Sequence, residues 1–228
     1  SMSMPSRIPS SLAPRRGSAV VCDTRMVPAE SSAPHPIATF LAGRQLVLAS
    51  ASPRRAELLA RLGLTFMVDP ADVDESPADG EAASTLVARL SALKASTVAS
   101  RHDGAVVVAA DTVVVVDGEI LGKPADAADA ALMLERLSGR SHQVITGMTV
   151  AADADLVTVT TDTEVAFRPL STAEIDWYVA TGEPFDKAGA YALQGIAACF
   201  VTAIDGSPDS VIGLSLAGFV DAVSRVGA

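Results

Sequence analysis

Apolar residues recur along this chain with two periods, and neither is sustained before residue 45. A short apolar run at 46–49 predicts a buried strand, after which Ser50-Ala51-Ser52 turns into a helix over 53–62. Ser52 suits the N-cap, Pro53 the first helical position and Gly63 the position after the end. A second helix is predicted over 84–101, with Leu86, Leu90, Leu93 and Thr97 on one stripe. The unbroken run 105–110 reads as a strand, and 113–116 and 119–121 read as a hairpin closed by Asp117-Gly118. Asp126 caps a helix reaching Leu137, with Gly139 just beyond it. Strands follow over 143–151 and 156–168, and Ser171 with Glu174 forms a capping box for a helix that ends before Gly182. Strands at 190–193 and 198–204 and a helix from 214 complete the pattern.

Helices and strands interleave, with hairpins among them. This predicts an α/β fold with a mixed sheet and flanking helices, not a uniformly wound parallel sheet. Residues 1–44, rich in Pro, Ser, Ala and Arg, read as a disordered N-terminal tail ahead of a folded domain at 45–228. The tail shows no apolar core of a secretory signal, and no apolar run approaches the roughly 20 residues of a membrane span. Cys22 and Cys199 fit neither a disulfide framework nor a zinc spacing. A cytoplasmic protein with reduced thiols is the expectation.

Charge narrows the function. The chain carries a formal −10 at pH 7, which argues against a nucleic-acid polymer as partner, since that requires clustered positive charge. The tail holds five Arg against two acids, so residues 45–228 are more acidic still, at −13. An acidic domain that handles phosphate must gather its few cations at one place.

Five segments are candidates for that place. Ser50-Ala51-Ser52-Pro53-Arg54-Arg55 leads from strand to helix N-terminus, where open N–H groups and the helix dipole suit phosphate. Arginines in a first turn oppose the dipole by about 0.3–1 kcal/mol each, a cost that a bound polyphosphate would offset. The ordinary alternative is two solvated arginines behind a Ser/Pro cap. Asp111, in Ala110-Asp111-Thr112, sits between apolar runs, where a carboxylate is costly without a metal, a cation or several donors. Lys94 lies at the edge of a helical apolar stripe, as a snorkelling lysine also would. Gly122-Lys123-Pro124 holds a cation in a turn, and 186–195 offers Lys187 together with Tyr191 and Gln194, side chains able to stack on or hydrogen-bond a base. Glu75 and Glu164 are possible metal ligands, each more often a surface acid. No Gly-x-x-x-x-Gly-Lys-Ser/Thr is present, which argues against a P-loop enzyme.

Together these segments resemble the Maf family of nucleotide pyrophosphatases, also called septum-formation inhibitor proteins. The resemblance spans 45–226 and rests on SASPRR at 50–55, VDE at 73–75, RLSALKA at 89–95, ADT at 110–112, GKP at 122–124 and DKAGAYALQG at 186–195, in family order. It implies two lobes around a cleft, a fold related to inosine triphosphatases, and a homodimer. It implies Asp111 as general base, with Ser50, Ser52, Arg54, Arg55, Glu75, Lys94, Lys123 and Lys187 lining a triphosphate and divalent-cation site. Five of the twelve cations of residues 45–228 are among these lining residues. Members of the family acting on dTTP and UTP resemble this chain in Arg54, Thr112 and Gln194, where members acting on 7-methyl-GTP place Trp, Gln and Glu. The chain departs from the family at Ser215, where Pro is usual; a serine there can cap the last helix instead.

The expected activity is hydrolysis of dTTP or UTP to the monophosphate and pyrophosphate, with Mg²⁺ or Mn²⁺ held by Glu75, Asp111 and the substrate's phosphates. Asp111 as base, as metal ligand or as both are all compatible with the sequence. A non-catalytic nucleotide-binding regulator of cell division, and a house-cleaning enzyme without strong base preference, are the alternatives.

Overall fold

The computed structural model describes residues 25–27, 35–41 and 43–226. Their elements run β1 (Arg25–Val27), α1 (Ile37–Phe40), β2 (Leu46–Leu48), α2 (Pro53–Ala60), β3 (Phe66–Val68), α3 (Ala83–Ala99), β4 (Val106–Val116), β5 (Glu119–Leu121) and α4 (Ala127–Leu137). Next come β6 (Ser141–Ala152), β7 (Asp155–Phe167), α5 (Thr172–Ala180), β8 (Val201–Asp205), α6 (Pro208–Ile212) and α7 (Leu216–Arg225). The strands form one sheet in the order β1-β3-β2-β4-β6-β7-β8, with β5 on the remaining edge of β4. β2 runs parallel to β3 and β4, and every other pairing is antiparallel, so the sheet is mixed as the interleaved pattern predicts.

The 11-residue β4 organises the molecule. Its run of β-branched valines suits a strand buried on both faces. Val107 and Ala109 pack with Ala95 and Val98 of α3, and Val113 and Val115 pack with Leu86, Val87 and Leu90 further along the same helix. The opposite face divides. Val106, Val108 and Ala110 join a core built with Leu58 and Leu59 of α2 and Phe219 and Val223 of α7. Val114 and Val116 join a second core, with Leu134 of α4 and Tyr178 of α5. Thr112 belongs to neither and marks the line between two lobes that share one sheet.

Local signals hold at most element ends. Asp117 and Gly118 take φ 54° and 78°, as a tight hairpin turn requires. Asp126 accepts from the Asp129 N–H, the Ser171–Glu174 capping box forms, and Ser215 accepts from the Gly218 N–H at the start of α7.

Five expectations change. β4 does not break at Asp111, because β6 pairs with it continuously from Val106 to Val115. The α3 stripe turns by one position: Lys94, Ala95 and Val98 are buried, whereas Leu93 is 38% exposed. Residues 190–193 form no strand. A 3₁₀ turn at Ala188–Ala190 precedes them, with Gly189 at φ 65° and its N–H bonded to Gly122 O. Residues 196–200, expected to hold the start of a strand, are instead a 3₁₀ turn, and β8 begins at Val201. The tail is ordered in part: β1 pairs with β3, and Ile37 and Leu41 are buried in the α2–α7 core. These few apolar residues are too sparse to show a period, yet enough to dock. Residues 1–24 and 28–34, and with them Cys22, lie outside the described residues.

Candidate functional site

The register of β4 opens a cleft in the sheet. β2 covers its edge only through Val108, and β5 resumes on that edge only at Val114. Between them the edge faces a cleft of ≈ 650 Å³. Ser50, Ser52, Arg54, Arg55, Glu75, Lys94, Asp111, Thr112, Lys123, Lys187 and Gln194 all line it. Glu164 does not; it is exposed on β7, opposite Gln143.

Asp111 and Lys94 form the buried centre, 7% and 6% exposed, with Lys94 Nζ donating to Asp111 Oδ1 at 2.6 Å. The same ammonium is 2.8 Å from Glu75 Oε1, on the loop before α3. Burial works against ionisation of Glu75, but hydrogen bonding from Lys94, with the fields of Lys123 and Arg55, holds its carboxyl below the usual range. Gly147 makes this centre possible. It pairs with Asp111 across β4–β6, and a Cβ there would lie 2.3 Å from the Val87 carbonyl oxygen. Only a residue without one lets α3 approach closely enough for Lys94 to reach the strand.

Arg55 is held from three sides. Its Nε donates to Gly213 O at 2.8 Å, Nη1 to Ser50 Oγ at 3.1 Å and Nη2 to Thr112 Oγ1 at 3.4 Å. Burial lowers the guanidinium's pKa from its ordinary value, and Asp111 and Glu75 raise it back in part. Three of five donor hydrogens are engaged, leaving two for an anion. The direction of the adjoining hydroxyl chain is fixed. Thr146 Oγ1 donates to Ser210 O at 2.7 Å, so it accepts from Thr112 at 2.9 Å, whose own oxygen accepts from Arg55. With its hydrogen committed, Thr112 serves the arginine rather than donating to a base.

Ser52 occupies the N-cap of α2 but makes no side-chain cap; its N–H instead donates to Ser50 Oγ at 3.2 Å. The first turn of α2 thus lies open at the cleft without a side-chain acceptor.

Asp186 gathers the opposite wall. Arg54 Nη1 donates to it at 3.0 Å, and Lys187 Nζ pairs with its other oxygen. Burial resists ionisation here too, but the bonds from Lys187 and Arg54 outweigh it and keep the carboxyl below its usual range. Lys187 also donates to Glu183 O at 2.6 Å. Lys123 and Gln194 are exposed residues of the cleft. Behind them, Tyr191 and His142 are buried and joined at 2.8 Å, and desolvation lowers the His142 pKa to about 4, so the pair is neutral.

Asp186 as an anchor, and Gly213, Thr146, Gly147 and Glu183 as supports, are not evident from the sequence. Arg54 and Asp186 stand 132 positions apart, and glycine or threonine inside an apolar strand gives no charge signal. Gly147 itself carries a local signal, since glycine inside a strand often marks a close backbone approach.

Among the described residues no group of three or more His, Cys, Asp or Glu side chains is placed to hold a metal. Two carboxylates, Asp111 and Glu75, converge on one ammonium, so the donor pair is arranged around positive charge. That fits Mg²⁺, which commonly takes one or two carboxylates together with substrate phosphates.

Fold and site define an α/β protein with one cleft at a sheet edge, in which cations surround a buried carboxylate. The chain belongs to the Maf family: residues 45–226 match the family described as Maf-like protein. A dTTP/UTP pyrophosphatase of Myxococcus xanthus is 53% identical over 182 residues, covering 80% of this chain and 92% of that protein. One from Symbiobacterium thermophilum is 50% identical over 184 residues, covering 81% and 95%. One from Geobacter metallireducens is 51% identical over 187 residues, covering 81% and 97%.

Proposed function

We propose that the chain is a nucleoside triphosphate pyrophosphatase that hydrolyses dTTP and UTP to the monophosphate and pyrophosphate. The observation that carries this is the buried Asp111 carboxylate on the open edge of β4, inside a cleft with Lys94 and Arg55 beside it. A site built only to bind a polyanion gains nothing from a buried carboxylate at its centre; a site that must activate water does. The names of the similar proteins point to the same activity.

Asp111 orients and deprotonates a water, whose oxygen bonds to the α-phosphorus as the bond to the α–β bridging oxygen breaks. Arg54, Arg55, Lys94, Lys123 and Lys187 bind the triphosphate and neutralise the departing pyrophosphate, the electrostatic stabilisation such transfers chiefly need. Asp111 and Glu75 would hold the divalent cation, Mg²⁺ or Mn²⁺, which supplies further charge neutralisation on the phosphates. Gln194 reads the base, since its amide offers both a donor and an acceptor to the mixed edge of uracil or thymine. The enzyme acts as a homodimer in the cytoplasm, where the exposed free thiol of Cys199 stays reduced.

The test is a panel of dTTP, UTP, CTP, GTP and ATP with Mg²⁺, scored for pyrophosphate and orthophosphate. Pyrophosphate from dTTP and UTP ahead of the others, abolished by a chelator, is the expected outcome. Tight nucleotide binding without turnover would favour the regulator, and equal rates on all five the house-cleaning enzyme.

A further inference from the structure

Glu183 stands behind the cleft wall, outside the residues that line it, yet it is bonded to both functional segments of that wall. Its carboxylate accepts the Ile196 N–H at 3.1 Å through Oε2 and the Tyr178 hydroxyl at 2.9 Å through Oε1. Its backbone carbonyl accepts Lys187 Nζ at 2.6 Å. Gln194 lies between these anchors, in a turn closed by the Gly195 N–H donating to Ala192 O at 3.1 Å. The carboxylate lies flat on Gly195, where a Cβ would come within 2.0 Å of Oε1.

Both partners of the carboxylate are donors. Burial and the facing Glu183 raise the Tyr178 pKa, so its hydroxyl stays protonated and donates. A carboxylate accepts from both at once; a glutamine loses the charge and keeps the Ile196 N–H only if its NH₂ faces Tyr178, whose hydroxyl must then accept instead of donate. The carboxylate stands next to the turn carrying Gln194.

We propose that Glu183 is a specificity-positioning residue: by clamping the Gly195–Ile196 peptide to Tyr178 it fixes Gln194 at the base-binding end of the cleft. This rests on the reading of Gln194 as the base-recognising side chain. Loosening the side-chain clamp frees Gln194 and costs discrimination among bases, while Lys187 keeps the Glu183 backbone carbonyl and Arg54 and Arg55 keep their own partners.

The experiment measures kcat/KM for dTTP, UTP, CTP and GTP with Mg²⁺ on the wild type, Glu183→Gln, Ile196→Pro and Gln194→Glu. Ile196→Pro removes the N–H that Glu183 accepts and puts the ring Cδ where that hydrogen lay, against the carboxylate, so it breaks the clamp from the backbone side. It falls at the first position of a 3₁₀ turn, after Gly195 at φ −99° and ψ −160°, an extended conformation that proline tolerates before it. Glu183→Gln and Ile196→Pro should each lower the preference for dTTP and UTP over CTP and GTP by about tenfold, as the loss of a hydrogen bond to a charged group does. Should Glu183→Gln fail to fold, Ile196→Pro decides alone. A uniform loss on all four nucleotides would make Glu183 a structural support and overturn the proposal, as would unchanged ratios in both variants while Gln194→Glu shifts them. If Gln194→Glu itself leaves the ratios unmoved, the base reading falls and the proposal with it.

Discussion

Lys94 divides its charge between Asp111 at 2.6 Å and Glu75 at 2.8 Å, and this division sets the state of the site before substrate arrives. A triphosphate competes for the ammonium, and each hydrogen bond Lys94 gives to phosphate leaves Asp111 freer to take a proton from water. The side-chain exchange Asp111→Asn tests that role. Asparagine keeps the shape and an oxygen for Lys94 but lacks the charge and basicity, so the protein should fold and bind dTTP. Turnover should fall by about 10²-fold or more, within the usual range for a lost general base. Single-turnover kinetics with dTTP, beside a melting curve, measure it; a fall under about tenfold removes Asp111 from the chemistry. Much at this scale was legible in the sequence, because a carboxylate between two valine-rich runs needs a partner and the short motifs carry half of the cations of residues 45–228. What was hidden is pairing. Nothing local to Thr112 shows that its hydrogen goes to Thr146, and nothing local to Arg54 shows Asp186.

Among the elements, α3 matters most, because it brings Lys94 to β4. Its alanines and serines blur the apolar period, which is why the predicted stripe was one position off. The helix lies close to the sheet, and Gly147 is what permits that approach. Gly147→Ala puts a Cβ 2.3 Å from Val87 O and 2.8 Å from Ala88 N, both backbone atoms that cannot swing aside. The helix must shift, at a cost of about 1–3 kcal/mol or more, and carries Lys94 away from Asp111. The expected result is a lower Tm together with a larger loss of activity than the destabilisation explains at 25 °C. Full activity in this variant would show that the Lys94–Asp111 distance is not critical. Within 186–195 the apolar residues Ala190, Tyr191, Ala192 and Leu193 predict a strand. Gly189 and Ala190, at φ 65° and 60°, turn the chain there instead, and Ala190 and Tyr191 pack into the core of the second lobe.

As a whole, the molecule is one mixed sheet with α3 packed across one face and two hydrophobic cores on the other, with the cleft where β2 ends and β5 has not begun. The sheet class and most helices follow from period and caps. The lobes do not, because which face of β4 meets which helix depends on long-range packing. The N-terminal segment shows the same limit, since residues 35–41 look like tail but bury Ile37 and Leu41 against the α2–α7 core. Deleting residues 1–44 should therefore lower stability, with up to about 1.5–3 kcal/mol lost for each of these side chains, a shift that thermal unfolding detects. An unchanged Tm would mean that the contacts contribute little. The central claim is attack by water at the α-phosphorus, on the side of the cleft where Asp111 lies. Turnover of dTTP in ¹⁸O-labelled water, followed by mass spectrometry of both products, tests it most directly. The account predicts one ¹⁸O atom in dTMP and none in the pyrophosphate; label in the pyrophosphate, or in released orthophosphate, would contradict it.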